Sequence, residues 1–474
     1  MKRHRFNSIG RQIFSFFLFI VIFHNFSGGL VYSQQAEPFS ADQYLLSLTG
    51  NLTHPNKRIK GEAIKELGRL HDAKAIPVLI DLLSIGDSLS DEIVQSLKAI
   101  SKKDFGENWL DWTEWARSLD IGPLAEYEIF KKDLLAKMDP AFAAFSLEEK
   151  AKDFTLQDLF WSGEPKDAAP SINSPIMVEK RKATFLKDED IIYGIAEGDK
   201  AHAYPEKILN WHLIVNGAIG LKSFTLVTCP YSKTVNAYET ERESRVITFG
   251  FSGLVYQNTF AMYDHQKGNL WNAARGQALT GESGVSGRVL APLNVTKMTW
   301  KAWKSRHPET LVLDINTGYS KDYETTSPFF YSEEAFQADD RHSESSKSDL
   351  AKENFAENPL IYGIYLNGKA KAYPLKELKE KGIVNDELGG VNFVLLYTGE
   401  ANAVYAFLRN AYVFAHAGGF DLKDQNDNIW EIQESQLKAT HSDETLKRIP
   451  IQPALLTAWL AWFPESQINY ESQL

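Results

Sequence analysis

Apolar residues recur at helical spacing over the first quarter of the chain. Ile59, Ala63, Ile64, Leu67 and Leu70 fall on one stripe, His71-Asp72 interrupts it, and Ile76, Val78, Leu79, Leu82 and Leu83 begin another. Asp91 to Ile100 repeats the pattern, so residues 40 to about 105 predict amphipathic helices. Trp109, Trp112 and Trp115 follow at i, i+3 and i+6 and share one helix face, which predicts a core stripe. Pro140, Gly163-Glu164-Pro165 and Pro170 then break the pattern. Beyond them the period changes. Phe224–Thr228, Arg245–Phe249 and Thr259–Tyr263 are short, β-branched or aromatic and bounded by turn residues, and so predict strands. Val391–Tyr397, Ala403–Leu408 and Tyr412–His416 predict the same later in the chain.

The two strand-rich stretches are copies of one another. IIYGIAEGDKAHAYP, residues 191–205, and LIYGIYLNGKAKAYP, residues 360–374, share nine of fifteen positions at an offset of 169. The same offset, without a gap, places Ile214-Val215-Asn216 on Ile383-Val384-Asn385, Phe224 on Phe393 and Ala237 on Ala406. Each copy ends on a helix with paired tryptophans, Trp300 and Trp303 or Trp459 and Trp462. A polar tract, Ser320 to Asn358 with Asp339-Asp340-Arg341 and Ser343 to Lys347, separates them. Self-similarity of this kind fixes architecture ahead of local detail. The predicted fold class is α+β: an N-terminal helical region followed by an internally duplicated β-rich domain whose repeats pack about a pseudo-twofold axis. The expected boundaries are 1–33, 34–135, 136–180, 181–315 for the first copy, 316–356 for the linker and 357–474 for the second copy.

Composition narrows the function. At 474 residues, with 43% hydrophobic and 12% aromatic content, the chain can build several packed cores, and a formal net charge of -11 argues against a nucleic-acid partner. Lys2, Arg3, His4, Arg5 and Arg11 precede an apolar run from Ile13 to Phe23 and a small residue, Ser33, at a cleavage position. This reads as an export signal to the periplasm or the exterior. The alternative is an N-terminal membrane anchor, and membrane contact follows only if the signal stays uncleaved.

The candidate chemistry lies in the first copy. Cys229, the one cysteine of the chain, ends a strand in Thr228-Cys229-Pro230-Tyr231-Ser232-Lys233-Thr234, whereas the second copy has Tyr397-Thr398-Gly399-Glu400-Ala401-Asn402-Ala403. Its thiol is a candidate buried hydrophobe, a candidate ligand of a soft transition metal with His202, His212 and His265, or a candidate catalytic thiol. Lys371 stands at the repeat position of His202, which predicts an exposed polar site there. Tyr263, Asp264 and Trp271 are candidate ligand-binding residues beside Cys229. Asp264 and His265 are neighbours on a strand and point to opposite faces, so they form no dyad.

Two resemblances follow. AIKELGRLHDAKAIPVLIDLL resembles a HEAT repeat, and the helical region is open to two readings, a cap on the β-rich domain or a surface for a protein partner. IIYGIAEGDKAHAYP, LVTCPYSKT, FGFSGLVYQNTFAMYDHQKGNLW and TWKAWKSRHPETLVL together resemble the family of domains of unknown function numbered 3179, over about residues 165 to 474. That resemblance implies an exported bacterial protein and brings no activity. The family pattern reads Cys-Pro-Leu-Cys where this chain has Cys229-Pro230-Tyr231-Ser232, and a further Asp where it has Gly217. It implies that a two-cysteine site, if the pattern marks one, is lost here. Two functional expectations result: a non-catalytic module binding a small-molecule ligand or a partner, or a metal-dependent or thiol-based redox activity centred on Cys229.

Overall fold

The computed structural model describes residues 41–329 and 358–469, with Asp87, Asp120, Ala125, Glu148, Glu243 and Ser244 excepted. The signal-like segment and most of the polar tract lie outside the described residues. The architecture is mixed α+β, with a helical N-terminal region and a β-rich part arranged as a propeller-like ring of six sheets. No helix among the described residues is long and apolar enough to cross a membrane.

Six helices build the N-terminal region: α1 (Ala41–Asn51), α2 (Lys57–Leu70), α3 (Ile76–Ser84), α4 (Ser90–Ser101), α5 (Trp109–Ser118) and α6 (Tyr127–Met138). Asn56 starts α2 by accepting the Arg58 N–H, and His71 ends it in the left-handed region at φ 52°. Helix α3 is buried from Ile76 to Leu83 because α4, α5 and α6 all pack on it. The tryptophan stripe is core, as its spacing predicts: Trp112 is fully buried and Trp109 and Trp115 pack around it. Inside this core Lys131 of α6 pairs with Asp81 of α3, which also accepts from the Tyr127 hydroxyl at 2.7 Å. The same core continues into the β-rich part through Leu159, Phe160, Leu254, Tyr256 and Leu270, and Arg117 reaches Asp158 at 2.8 Å. The helical region is therefore welded to the ring.

Each half of the ring contributes three sheets. The first half has a hairpin sheet centred on Ile191–Glu197 and Lys200–Pro205, a middle sheet centred on Ile214–Ile219, Lys222–Cys229 and Thr234–Glu239, and a third sheet centred on Phe249–Tyr256, Thr259–Asp264 and Leu270–Asn272. The second half has its hairpin in Leu360–Leu366 and Lys369–Pro374, its middle sheet in Ile383–Leu388, Val391–Thr398 and Ala403–Leu408, and its third sheet from Ala415–Gly418 to Thr445–Lys447. Tyr193 pairs with Tyr204 as Tyr362 pairs with Tyr373.

Supporting contacts recur with this register. A Cβ on Gly194 would lie 2.1 Å from the Trp303 ring, and one on Gly363 would lie 2.3 Å from Trp459, so glycine is required in both hairpins. Trp303 donates to Thr310 at 2.8 Å and Trp459 to Ser466 at 2.7 Å. Asn216 clamps Phe249 by accepting its N–H and donating to its carbonyl, and Asn385 does the same to Phe414. These clamps explain two differences from the predicted strands. Arg245–Val246 pairs only with Glu241–Arg242, and the next strand begins at Phe249, where Asn216 engages the backbone. The strand expected over Tyr412–His416 likewise begins at Ala415, after the clamped Phe414.

Between the halves the hydrogen bonds are reciprocal. The Thr299 N–H donates to the Ala401 carbonyl at 3.3 Å, and the Leu455 N–H, on the matching strand of the other half, donates to the Ser232 carbonyl at 2.8 Å. Thr296–Thr299 lies against Ala403–Leu408 as Gln452–Leu455 lies against Thr234–Glu239. The polar tract also begins inside the fold, since Tyr323 and Phe329 are buried.

Candidate functional site

The strand Lys222–Cys229 carries Cys229 into the interior, where it is 2% exposed among Val227, Phe249, Met262 and Trp271. A thiol packed this way behaves as a small hydrophobe. His212 ends the short helix Glu206–His212 and is fully buried. The Pro170 carbonyl lies 2.7 Å from its Nδ1, and a carbonyl can only accept, so Nδ1 carries the proton and Nε2 accepts from the Tyr323 hydroxyl at 2.7 Å. Burial holds its pKa below the ordinary value, in keeping with this neutral ring. His202 corrects the sequence expectation of an exposed site. It is 7% exposed because Leu311 of a parallel strand and Ile195 of the hairpin flank it, and burial pushes its pKa down to about 4. His265 is exposed and lies 2.9 Å from the Thr248 hydroxyl. Among the described residues no group of three or more His, Cys, Asp or Glu side chains is placed to hold a metal ion.

Tyr263, Asp264 and Trp271 divide between two environments. Asp264 is buried, accepting from the Trp271 indole at 3.0 Å and the Lys267 N–H at 2.7 Å, and so fixes the turn after its own strand. Asp424 and Trp430 repeat that bond at 3.1 Å in the second half. Tyr263 faces the other way, as alternation requires. Its hydroxyl meets Lys166 Nζ at 2.8 Å and donates to Asp167 at 2.8 Å.

Two constellations had no local signal in the sequence. Glu434 is buried where the halves meet. It pairs with Arg448 at 3.1 Å and accepts from the Thr296 hydroxyl at 2.6 Å and the Tyr405 hydroxyl at 3.0 Å, with Arg306 and His307 at 3.5 and 3.6 Å. Burial alone would raise its pKa; His307, Arg448 and Arg306 outweigh it and hold the carboxyl at about 2. The second constellation surrounds a small cavity between the halves, lined by Tyr193, Val235, Val295 and Lys297 and by Tyr362, Val404, Ile451 and Pro453. The second four occupy the repeat positions of the first four: Tyr362 and Val404 by the 169 offset, and Pro453 because it pairs with Tyr362 as Lys297 pairs with Tyr193. On the first-half side Glu206 accepts from Tyr193 at 2.6 Å and Lys297 at 2.9 Å. Burial works against its ionisation, and Lys297 and Tyr193 outweigh it, so Glu206 titrates below its ordinary range.

A larger cleft of about 570 Å3 opens between α6 with the turn before it and the segment 150–157 that follows the helices. Leu124, Tyr127, Ile129, Phe154 and Leu156 give it apolar walls, and Glu126, Glu128, Lys150 and Gln157 supply polar groups. Lys150 pairs with Glu128 across it.

The family of proteins of unknown function DUF3179 matches residues 166–466, well over half of the chain. The chain belongs to this family. No curated protein and no solved structure matches it. The DUF3179 match starts at Lys166, so it takes in the ring and leaves the six helices outside. Ser232, at the place of the second cysteine in the pattern that the DUF3179 resemblance gave, is fully buried and lies 3.0 Å from the Thr234 hydroxyl.

Proposed function

We propose that this is an exported, non-catalytic binding module that takes a small-molecule ligand in the cleft between α6 and the segment 150–157. The cleft is the observation that carries the reading. Its volume of about 570 Å3 falls in the range of small-molecule sites, and its walls are apolar with a few converging polar groups. The buried Asp81, Lys131 and Tyr127 group stiffens α6, which forms one wall. The reacting groups a thiol or metal mechanism would need are otherwise engaged: Cys229 is packed in core, and His212 has a partner on each ring nitrogen. A thermal-shift screen of small molecules on the full chain, repeated on Ile129→Glu, tests the reading. Ile129 is exposed on the rim, so the fold should survive. A compound that stabilises the wild type and not the variant is expected. Hits that stabilise both equally, or that are chemically converted, overturn it.

We also propose that the two halves are related by a pseudo-twofold axis passing between Tyr193 and Tyr362. The reciprocal Thr299 to Ala401 and Leu455 to Ser232 hydrogen bonds support this, since a self-complementary interface contacts i to j and j to i. An experimental structure tests it by the rotation that carries residues 191–313 onto 360–469. A rotation far from a half-turn would remove the axis.

A further inference from the structure

The middle sheets of the two halves differ at one edge. In the first half Ile172–Asn173 pairs in parallel with Ile214–Ile219, setting Ile172 against Val215 and Asn173 against Asn216. The Ser174 N–H donates to the Asn216 carbonyl at 3.2 Å, and the Asn216 side chain donates to Asn173 Oδ1 at 2.8 Å as well as to the Phe249 carbonyl. Earlier residues of the same segment reach the third sheet, where Ser162 and Asp167 donate their N–H groups to the Gly253 and Phe251 carbonyls. One stretch, residues 162–174, thus closes two sheet edges, and Ile214, Val215 and Asn216 are buried beside it.

In the second half nothing takes its place among the described residues. Ile383–Leu388 pairs with Val391–Thr398 on one side only, and Ile383, Val384 and Asn385 are half-buried. Ala415–Gly418, the first strand of the third sheet, pairs only with Asp421–Lys423 and is exposed at every residue. The two open edges adjoin, since a Cβ on Gly382 would lie 2.8 Å from the His416 ring. The Tyr397 N–H bonds the Gly382 carbonyl, so alternation along the antiparallel pair turns the backbone groups of Ile383 and Asn385 toward the open side. Asn385 repeats the clamp on Phe414 but meets no counterpart of Asn173, which leaves one N–H of its side-chain amide without an acceptor among the described residues. The first half shows what fits such an edge, and it is an extended backbone. We propose that the second half binds an extended peptide segment as an added strand, parallel to Ile383–Leu388, with an apolar residue beside Val384, an asparagine beside Asn385 and a free N–H on the residue that follows. Main-chain bonds supply affinity in this mode, and the contact between the two asparagines fixes the register. The site rests on the repeat register alone and is independent of the cleft beside α6 and of the proposed axis.

A synthetic peptide of residues 167–177, DAAPSINSPIM, carries this pattern and serves as the probe on the full chain. Hydrogen exchange should slow at the Ile383 and Asn385 amides when the peptide is added and stay unchanged over 214–219, whose edge is already filled. Methylating the Ser174 nitrogen of the peptide, or making Asn173→Ala in it, should each weaken binding roughly five- to tenfold. The protein is unaltered in both cases, so loss of fold cannot mask the result. Slow exchange at Ile383 and Asn385 before any peptide is added would mean that another stretch of the chain or a second copy fills the edge, and overturns the proposal. No binding, or equal binding of the methylated peptide, overturns it as well.

Discussion

The two halves of the ring share a scaffold and differ in where their charges are buried. In the first half the hairpin and middle sheets carry His202, Tyr204 and Gly217. In the second half the same three places hold Lys371, Tyr373 and Asp386, and Asp386 accepts from Lys371 at 2.6 Å and Tyr373 at 2.8 Å. The relation inverts at the small cavity between the halves. There the first half carries Glu206 and Lys297, and the second carries Leu375 and Pro453. Each half has thus kept one ionic cluster and replaced the other. Scaffold positions tolerate no such exchange: Gly194 and Gly363 both meet a tryptophan ring, and Asn216 and Asn385 both hold a phenylalanine backbone. The lesson is that geometry, set by close approach and backbone pairing, is duplicated, whereas charge is not. The sequence reading expected the second copy to be the plain one. The Lys371, Asp386 and Tyr373 cluster corrects that picture.

The comparison is broken most severely at Glu434, whose cluster exists at one of the two reciprocal junctions only. Glu434→Gln leaves Arg448 buried without its countercharge and should cost about 3–5 kcal/mol in chemical denaturation. At the matching junction Gln452 merely donates to the Ala274 carbonyl, so Gln452→Ala should cost about 1 kcal/mol. Equal losses would show that the junctions are energetically alike.

Gly194→Ala and Gly363→Ala force a methyl into Trp303 and Trp459. Each should destabilise by about 1–3 kcal/mol, and by similar amounts, in parallel melts. A tolerant Gly363 with an intolerant Gly194 would mean that the second hairpin is looser than its register implies.

Acid separates the halves next. His202 and His212 have depressed pKa values, burial being the first cause for each, and both belong to the first half. A histidine with a folded pKa below its unfolded one is protonated more readily by the unfolded chain, so stability falls as pH drops from 6.5 toward about 4, the window set by His202. The His202 contribution is on the order of 2 kcal/mol, and His202→Gln should flatten the curve in that window. Asp386 is held below its ordinary value, by Lys371 and Tyr373 against the opposing effect of burial. Its contribution is present above pH 3.8 and is lost below that value. Hydrogen exchange followed from pH 7 to 4 should therefore show the first half loosening ahead of the second.

A narrower difference separates the clamps. Asn385→Ala should cost about 2 kcal/mol, and Asn216→Ala slightly more, because Asn216 also donates to Asn173 at 2.8 Å.

Much of this fold is legible in the chain because the repeated residues are those that make repeated contacts. The IYGI and AYP stretches encode the hairpin pairing, and Trp303 and Trp459 announce the glycines they cover. The helical stripes and the tryptophan spacing also match what forms, since an amphipathic face is a local property. The remainder depends on partners remote in sequence. His202 looks exposed beside Lys371 until Leu311 arrives as a parallel neighbour. Glu434 gives no sign of Thr296 or Arg306, which come from the other half. Tyr323 and Phe329 sit in a polar tract whose composition argues against packing, yet Tyr323 completes the His212 network. The strand ends were misplaced wherever a side-chain amide replaced a strand partner, as at Phe249 and Phe414.

The reciprocal bonds between the halves carry a consequence for how the molecule is made. The Ser232 and Ala401 carbonyls accept from the other half, and the strand Thr234–Glu239 rests against Gln452–Leu455, which is made long after it. Until then the nascent first half leaves uncovered the part of that strand that Pro292–Leu293 does not pair, the kind of surface that captures neighbouring chains. Folding begun only when both halves are present together would spare the protein that exposure.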